Sequence, residues 1–81
     1  MFTVYAIESN STKRVYIGQT NDVEKRLIFH NKGYVKSTSK DAPWHIIAME
    51  SFNTREMARW CEHKLKKSKG TRLRWLKKHN L

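Results

Sequence analysis

Five side chains in this sequence are of types suited to hydrolysis of a phosphodiester bond: Tyr5, Tyr16, Arg26, His30 and Glu62. That reaction needs positive charge to offset the charge on the phosphate, a positioned water and an acid for the leaving oxygen. An arginine supplies a fixed cation, and a histidine can transfer a proton near neutral pH. A single carboxylate can hold Mg²⁺ when water and phosphate oxygens complete its octahedron. These residue types are therefore candidates for a site, provided that the chain brings them together.

Glu62 is predicted to lie at the edge of a buried helix face. The apolar stripe of that helix consists of Met57, Ala58, Cys61 and Leu65. At 100° per residue, Glu62 falls about 40° past Ala58, on the rim of the stripe, where its carboxylate could face a shared cleft. An exposed glutamate that pairs with Lys66, four residues later, explains the same spacing. Periodicity alone favours this second interpretation.

Arg26 and His30 are four residues apart on another predicted helix, so they stack on one side of it. Both flank the predicted stripe of Val23 and Leu27. A solvated helix face explains the pair as well as a functional site does.

Tyr5 and Tyr16 fall on neighbouring strands of a predicted hairpin. Core packing is the ordinary explanation for such tyrosines. Gly18, two residues after Tyr16, is more informative. A glycine within a strand often marks the close approach of a ligand or of another backbone.

The elements that must position these side chains are predicted in the order β-β-α-β-α-α. β-Branched and aromatic residues predict strands at 2–7, 14–19 and 44–52, the first two joined by a polar turn as an antiparallel hairpin. Asn21 is predicted to cap the first helix and Gly33 to end it in a left-handed conformation. The polar segment that follows, up to Pro43, is predicted to be a loop.

Two more helices are predicted after the third strand. Asn53 or Thr54 caps the first of them, and Gly70 breaks it. Thr71 is then predicted to cap a short final helix whose inward-facing residues are Leu73 and Leu76. Among the remaining apolar residues, the ones predicted to pack in or cover the core are Trp44, Trp60, Cys61 and Trp75.

This order predicts an α+β fold, a three-stranded antiparallel sheet flanked by helices. The 81 residues suffice for a single small domain, residues 1–81.

The charge is strongly unbalanced, with 17 Lys and Arg against 7 Asp and Glu, a net +10. Such a chain attracts polyanions by long-range steering and by release of counterions from phosphates. A dense basic run is often only a solvated face, but here it is also a candidate surface for the nucleic-acid backbone. The residues predicted to contact nucleic acid are Lys36, Lys64, Lys66, Lys67, Lys69, Arg72 and Arg74. No predicted helix pairs a basic face with a broad apolar one, which disfavours binding to a membrane.

Cys61 is the only cysteine, so neither an internal disulfide nor a cysteine-based zinc site is expected. The histidines form no His-x₃-His pair. The first residues lack the pattern of a secretory leader. We therefore expect a cytoplasmic protein, or one in another reducing compartment that contains DNA, and not a secreted one.

Together the separate signals resemble the GIY-YIG nuclease family. Val4-Tyr5, ten intervening residues, and then Tyr16-Ile17-Gly18 are similar to the paired motif of that family. Arg26 and His30 match its helix with an arginine and a histidine, and Glu62 matches its glutamate before a lysine-rich stretch. Thr3 departs from the glycine usual in the first motif.

The resemblance implies roles for these residues. Glu62 would bind Mg²⁺ or Mn²⁺, and Arg26 would stabilise charge on the scissile phosphate. Tyr5 and Tyr16 would place and activate the water, and His30 would relay a proton or hold the phosphate. The products implied are a 5′-phosphate and a 3′-hydroxyl.

Three functions stay open from the sequence. The favoured one is a metal-dependent DNA endonuclease that cuts one strand per site, on DNA that could be branched or otherwise structured, with specificity from the DNA or from a protein partner. The second is a non-catalytic nucleic-acid-binding module of the same fold. The third is an RNA-associated or ribosome-associated basic protein.

Overall fold

A computed structural model describes residues 1–81, and the element order agrees with the prediction. A short 3₁₀ turn, Ser39–Asp41, is the only addition to that order. The elements are β1 (Phe2–Ser9), β2 (Val15–Thr20), α1 (Val23–Asn31), β3 (Trp44–Phe52), α2 (Arg55–Lys67) and α3 (Lys69–Lys78). The predicted α+β class with a three-stranded antiparallel sheet is confirmed.

The strand order is β2-β1-β3, so β1 is the central strand. Four consecutive residues of β1, from Val4 to Ile7, are at most 1% exposed. A strand buried on both faces needs apolar side chains at successive positions, which explains why its sequence does not alternate with polar residues.

The two faces of the sheet carry separate apolar clusters. On one face Tyr5, Ile7 and Trp44 pack with residues of α1. The opposite face packs against α2 and α3, and its buried residues are Val4, Ala6, Ile17, Ala48, Ala58, Cys61, Leu65 and Trp75. The predictions that Trp44, Cys61 and Trp75 are buried are confirmed.

Each helix begins at a side-chain cap. Asp22, and not Asn21, caps α1 by accepting a hydrogen bond from the Lys25 amide at 3.1 Å. Thr54 caps α2, as one of the two predicted choices. Gly33 has a φ of +80° just after α1, as the left-handed ending requires.

The boundary between α2 and α3 was predicted wrongly. Ser68 ends α2 and caps α3, because its hydroxyl accepts from the Thr71 amide at 3.3 Å. Gly70 therefore lies inside the first turn of α3 and does not break a helix. The Arg72 guanidinium donates to the Leu65 carbonyl at 3.1 Å and satisfies one of the open carbonyls at the end of α2.

Three apolar residues expected to be inside are more than half exposed: Met57, Trp60 and Leu73. Trp75 decides the orientation of α3, since its ring is buried and its indole N–H donates to Glu50 at 2.9 Å. Leu73 is two residues from Trp75 and therefore points outward, whereas Leu76 packs against the core as predicted. None of the three helices has the length and hydropathy of a membrane-spanning segment.

Candidate functional site

Gly18 is opposite Tyr5 in the sheet, and it leaves room for the tyrosine ring. A Cβ atom at Gly18 would lie 2.7 Å from the Tyr5 hydroxyl oxygen and 3.1 Å from Cε2 of Tyr16. A close approach was predicted at this glycine, but two tyrosine side chains make it, and not a ligand or another backbone. A residue with any side chain at position 18 would displace them.

Tyr5, His30 and Thr38 form a buried chain of hydrogen bonds. The Tyr5 hydroxyl is 2.8 Å from His30 Nε2, and His30 Nδ1 is 2.7 Å from Thr38 Oγ1. The Thr38 hydroxyl donates to the Val35 carbonyl, so its oxygen accepts from the Nδ1–H of His30. Nε2 is then left to accept a hydrogen bond from Tyr5. All three side chains are at most 1% exposed.

The surroundings keep Tyr5 and His30 neutral. Burial raises the pKa of Tyr5 from its ordinary 10.0 to about 12, and the adjacent Arg26 acts in the opposite direction. Charge on Tyr16 or Glu62 raises the Tyr5 pKa further. Burial, and then the positive charge of Arg26, lowers the pKa of His30 below its ordinary 6.5.

Arg26 carries the one buried side-chain nitrogen or oxygen that has no hydrogen-bond partner, its Nε. A buried donor without an acceptor is costly and rare. Arg26 is also close enough to Tyr5 and His30 to influence the pKa of both. The arrangement thus places a fixed cation and an unpaired donor beside Tyr5 and His30.

Tyr16 and Glu62 complete the cluster from the edge of the sheet and from α2. The ring of Tyr16 lies 5.0 Å from His30 and 6.4 Å from Tyr5, between centroids. The Glu62 side chain is 19% exposed, consistent with the rim position, and accepts from Lys66 Nζ at 2.6 Å. The pairing with Lys66 is therefore confirmed, whereas the role of Glu62 as a metal ligand stays a prediction.

The donor atoms fit a partly hydrated divalent cation. Glu62 is the only carboxylate in the cluster, and no group of three His, Cys, Asp or Glu residues could enclose a metal ion. One half-buried carboxylate suits Mg²⁺, which keeps several waters and is often shared with a phosphate. The ion pair with Lys66 occupies Oε2 of Glu62, so a cation at this oxygen would compete with Lys66.

The predicted nucleic-acid contacts fall in three places. Lys64 and Lys67 are exposed near the end of α2, and Lys69 and Arg74 are exposed on α3. Lys36 lies with Arg14 and Lys40 around a separate concave surface formed by the loop after α1. The remaining two, Lys66 and Arg72, line a groove beside Tyr16.

Two residues near the site were not predicted there. Thr38 lies in a polar segment whose sequence gives no sign that one hydroxyl is buried against a histidine. Lys66 was predicted as a backbone contact, but its Nζ lies over the Tyr16 ring, 5.7 Å from the centroid. The four-residue spacing predicted its ion pair with Glu62 but not its contact with Tyr16.

The pKa shifts of His30 and Tyr5 predict a stability that falls at both ends of the pH range. Below about pH 6.5 the unfolded chain protonates this histidine before the folded protein does, so the free energy of unfolding decreases as pH falls. Between pH 10.0 and about 12 the unfolded chain loses a tyrosine proton that the folded protein keeps, so stability decreases as pH rises. The alkaline loss attributable to Tyr5 is about 3 kcal/mol.

Urea unfolding followed by tryptophan fluorescence measures both changes. Tyr5→Phe removes the phenol and should flatten the alkaline decline relative to the unmodified protein, while the acid decline persists. An equal alkaline loss in both proteins contradicts the assignment to Tyr5.

The fold and the cluster define a class of protein, an α+β domain with a cationic, hydroxyl-rich site where the sheet meets α1 and α2. A model of the GIY-YIG catalytic domain matches residues 1–80. A UPF0213 protein of Haloquadratum walsbyi is 39% identical over 64 residues, which are 78% of this chain and 71% of that protein. A solution NMR structure of a UPF0213 protein from Bacillus halodurans is 31% identical, with a TM-score of 0.49 over 82% of this chain and 71% of the other.

This chain belongs to the GIY-YIG family, a family of nucleases, as its tyrosine motifs predicted.

Proposed function

We propose that this protein is a metal-dependent DNA endonuclease that cuts one strand per active site and leaves a 5′-phosphate and a 3′-hydroxyl. Family membership supports nuclease chemistry. The observation that carries the proposal is the unpaired Nε of Arg26 beside Tyr5 and His30. A buried donor of this kind has the chemistry to receive an oxygen of the scissile phosphate. We propose further that the 81 residues act as one domain.

Arg26 is proposed to bind the phosphate and to stabilise the charge that develops on it during attack. Its guanidinium is planar and permanently charged, so it needs no change of protonation. The cost of leaving Nε without a partner in the free protein is recovered when an oxyanion accepts from it.

The two tyrosines are proposed to have different roles because their surroundings differ. Tyr5 is 1% exposed and its hydroxyl donates to His30, so it holds the cluster in place. Tyr16 is half-buried and lines the neighbouring groove, so it is the tyrosine that can position the attacking water. His30 is proposed to hold Tyr5 in place and to relay a proton through the Tyr5 hydroxyl, which can accept one from the substrate side as it donates its own to Nε2.

Glu62 is the residue proposed to hold Mg²⁺ or Mn²⁺ once it leaves Lys66. A bound divalent cation supplies Lewis-acid stabilisation of phosphate charge and lowers the pKa of a bound water. Lys66, released from the ion pair, stays near the site and can pair with a phosphate.

Supercoiled plasmid tests the proposal most directly. With Mg²⁺ or Mn²⁺ the protein should convert it to nicked circles before linear DNA appears, and EDTA should stop the reaction. Nicks with a 5′-phosphate and a 3′-hydroxyl should reseal with DNA ligase without prior kinase treatment. Plasmid and structured DNA that stay intact with both metals would refute the enzyme and leave a non-catalytic module; metal-independent preference for structured RNA would indicate the third function.

The basic surface predicts a strong dependence of DNA affinity on salt. If all seven predicted residues contact phosphates, a plot of log affinity against log salt should have a slope of about −6. Lys67→Ala and Lys69→Ala should each reduce the slope by about one. Lys25, which lies over Phe29 on α1, provides the matched control in Lys25→Ala, for which the slope should not change.

Fluorescence anisotropy with labelled duplex, in the presence of EDTA to prevent cutting, gives these slopes. A DNA affinity that does not change with salt would show that the basic residues do not bind the DNA backbone.

A further inference from the structure

A groove next to the candidate site lies between the edge strand β2 and α3. We call it the β2–α3 groove, and its lining includes Val15, Tyr16, Lys66, Arg72, Leu73 and Leu76. Its volume is about 550 Å³, within the range of sites that bind small organic molecules. Tyr16 and Lys66 belong both to this groove and to the candidate site, so the two are continuous.

The groove combines an apolar surface with two cations. Leu73 is 54% exposed and Val15 is 39% exposed, although neither needs to be apolar for the fold. Arg72 is held in place by donating to the Leu65 carbonyl at 3.1 Å. Lys66 is held over the Tyr16 ring and against Glu62. A ligand that fits this surface therefore carries negative charge next to a flat or apolar group.

Intact duplex DNA does not match this description. Its outer surface presents phosphates and sugars, while its bases are stacked within the helix. An unpaired nucleotide does match, because its base can leave the stack and contact apolar side chains while its phosphate meets cations. The continuity with Tyr16 puts such a nucleotide directly beside the bond to be cut.

We propose that the β2–α3 groove holds one unpaired nucleotide of the cleaved strand, adjacent to the scissile phosphate. The preferred substrate is accordingly DNA with an unpaired nucleotide at the cut, such as a flap or a gap edge. This proposal rests on the endonuclease function proposed above for Tyr16 and its neighbours.

Binding to matched oligonucleotides tests the groove without requiring cleavage. The probes are a flap DNA with 2-aminopurine as the unpaired base, the same flap with an abasic residue at that position, and a duplex with the same number of phosphates. With EDTA present, the flap should bind at least about 10-fold more tightly than the duplex, since contact with a single base is worth about this much or more. The abasic flap should lose most of that preference, and 2-aminopurine fluorescence should change on binding.

Leu73→Gln removes apolar surface from the groove and keeps side-chain length and helix propensity. It should reduce the preference for the flap about three- to ten-fold, because part of the contact energy between the unpaired base and the groove is lost. Ile28→Gln is the matched control, because Ile28 is 51% exposed on α1 and lies outside the groove. It should leave the preference unchanged.

Equal affinities for flap and duplex would overturn the groove proposal, as would a flap preference that is insensitive both to the abasic residue and to Leu73→Gln. A groove that instead accommodates a protein segment would give this second result. If no substrate is cut under any metal condition but the preference and its loss in Leu73→Gln are observed, the endonuclease function fails while nucleotide binding in the groove stands.

Discussion

Glu62→Gln is expected to lower the rate of strand cleavage by about 10³-fold or more, because several kcal/mol of charge stabilisation by a divalent cation would be lost. Glutamine preserves the size of the side chain and removes its charge. The ion pair with Lys66 is lost at the same time, but it is a partly exposed helix pair and contributes little to stability. The folded protein should therefore remain intact.

Binding should respond in the opposite direction to cleavage. Glu62→Gln removes one negative charge close to the phosphate and frees Lys66, so DNA affinity in EDTA should be unchanged or tighter. Binding of Mn²⁺ to the free protein, followed by electron paramagnetic resonance, should weaken. These two readouts separate the loss of a metal ligand from general damage to the site.

Glu56→Gln is the matched control, since Glu56 is an exposed glutamate in the first turn of the same helix. Its cleavage rate should be close to that of the unmodified protein. A Glu62→Gln protein that cuts as fast as the Glu56→Gln protein would exclude Glu62 as the metal ligand.

Gly18→Ala is expected to damage the site from within the sheet. The new methyl group would lie 2.7 Å from the Tyr5 hydroxyl oxygen and 3.0 Å from Tyr5 Cζ, and the buried ring has little freedom to withdraw. We expect a loss of about 1–3 kcal/mol in folding stability from this overpacking. Cleavage at saturating DNA should fall about 10²-fold, since displacement of catalytic groups by about 1 Å has this effect.

Gly70→Ala tests the same substitution where space is open. Its Cβ would meet only the end of the Arg74 side chain, at an ordinary 3.5 Å. Because Gly70 is helical, alanine should stabilise the protein by about 0.5–1 kcal/mol and leave the cleavage rate unchanged. Urea unfolding and plasmid nicking measure both effects. If Gly18→Ala is as stable and cuts as fast as Gly70→Ala, the positions of the tyrosines do not depend on residue 18.

The strands and their order along the chain could be predicted because each strand has a strong local pattern. The run of β-branched and aromatic residues around Tyr5 predicts a strand, and the short polar turn before the second strand predicts a hairpin, but not that β1 is the central strand. The orientation of α3 could not be predicted in the same way. It depends on a bond from Trp75 to Glu50, which are 25 residues apart. Ser68 caps α3 in place of the predicted Thr71, so this helix begins before Gly70 and not after it.

The candidate site was predictable only as a set of residue types in order. Periodicity placed Glu62 on a rim but favoured an exposed glutamate there. It placed Arg26 and His30 on one helix side and left a solvated face equally acceptable. The family motif related the separate segments to one another. What neither could supply was the third member of the hydrogen-bond chain, Thr38, because a hydroxyl in a polar segment has no distinguishing pattern.

The hydrogen bonds that run from Tyr5 through His30 to Thr38 join two parts of the molecule whose local stabilities should differ. Tyr5 lies on the central strand, hydrogen-bonded on both sides and protected from solvent, where amide exchange requires nearly complete unfolding. Thr38 lies in a segment held by a few bonds, among them the Trp44 indole donating to its carbonyl at 2.9 Å. We expect that segment to open at a lower free energy than the sheet. On warming, the His30 ring should therefore become disordered at temperatures where the secondary structure is still complete. It should become ordered again on cooling.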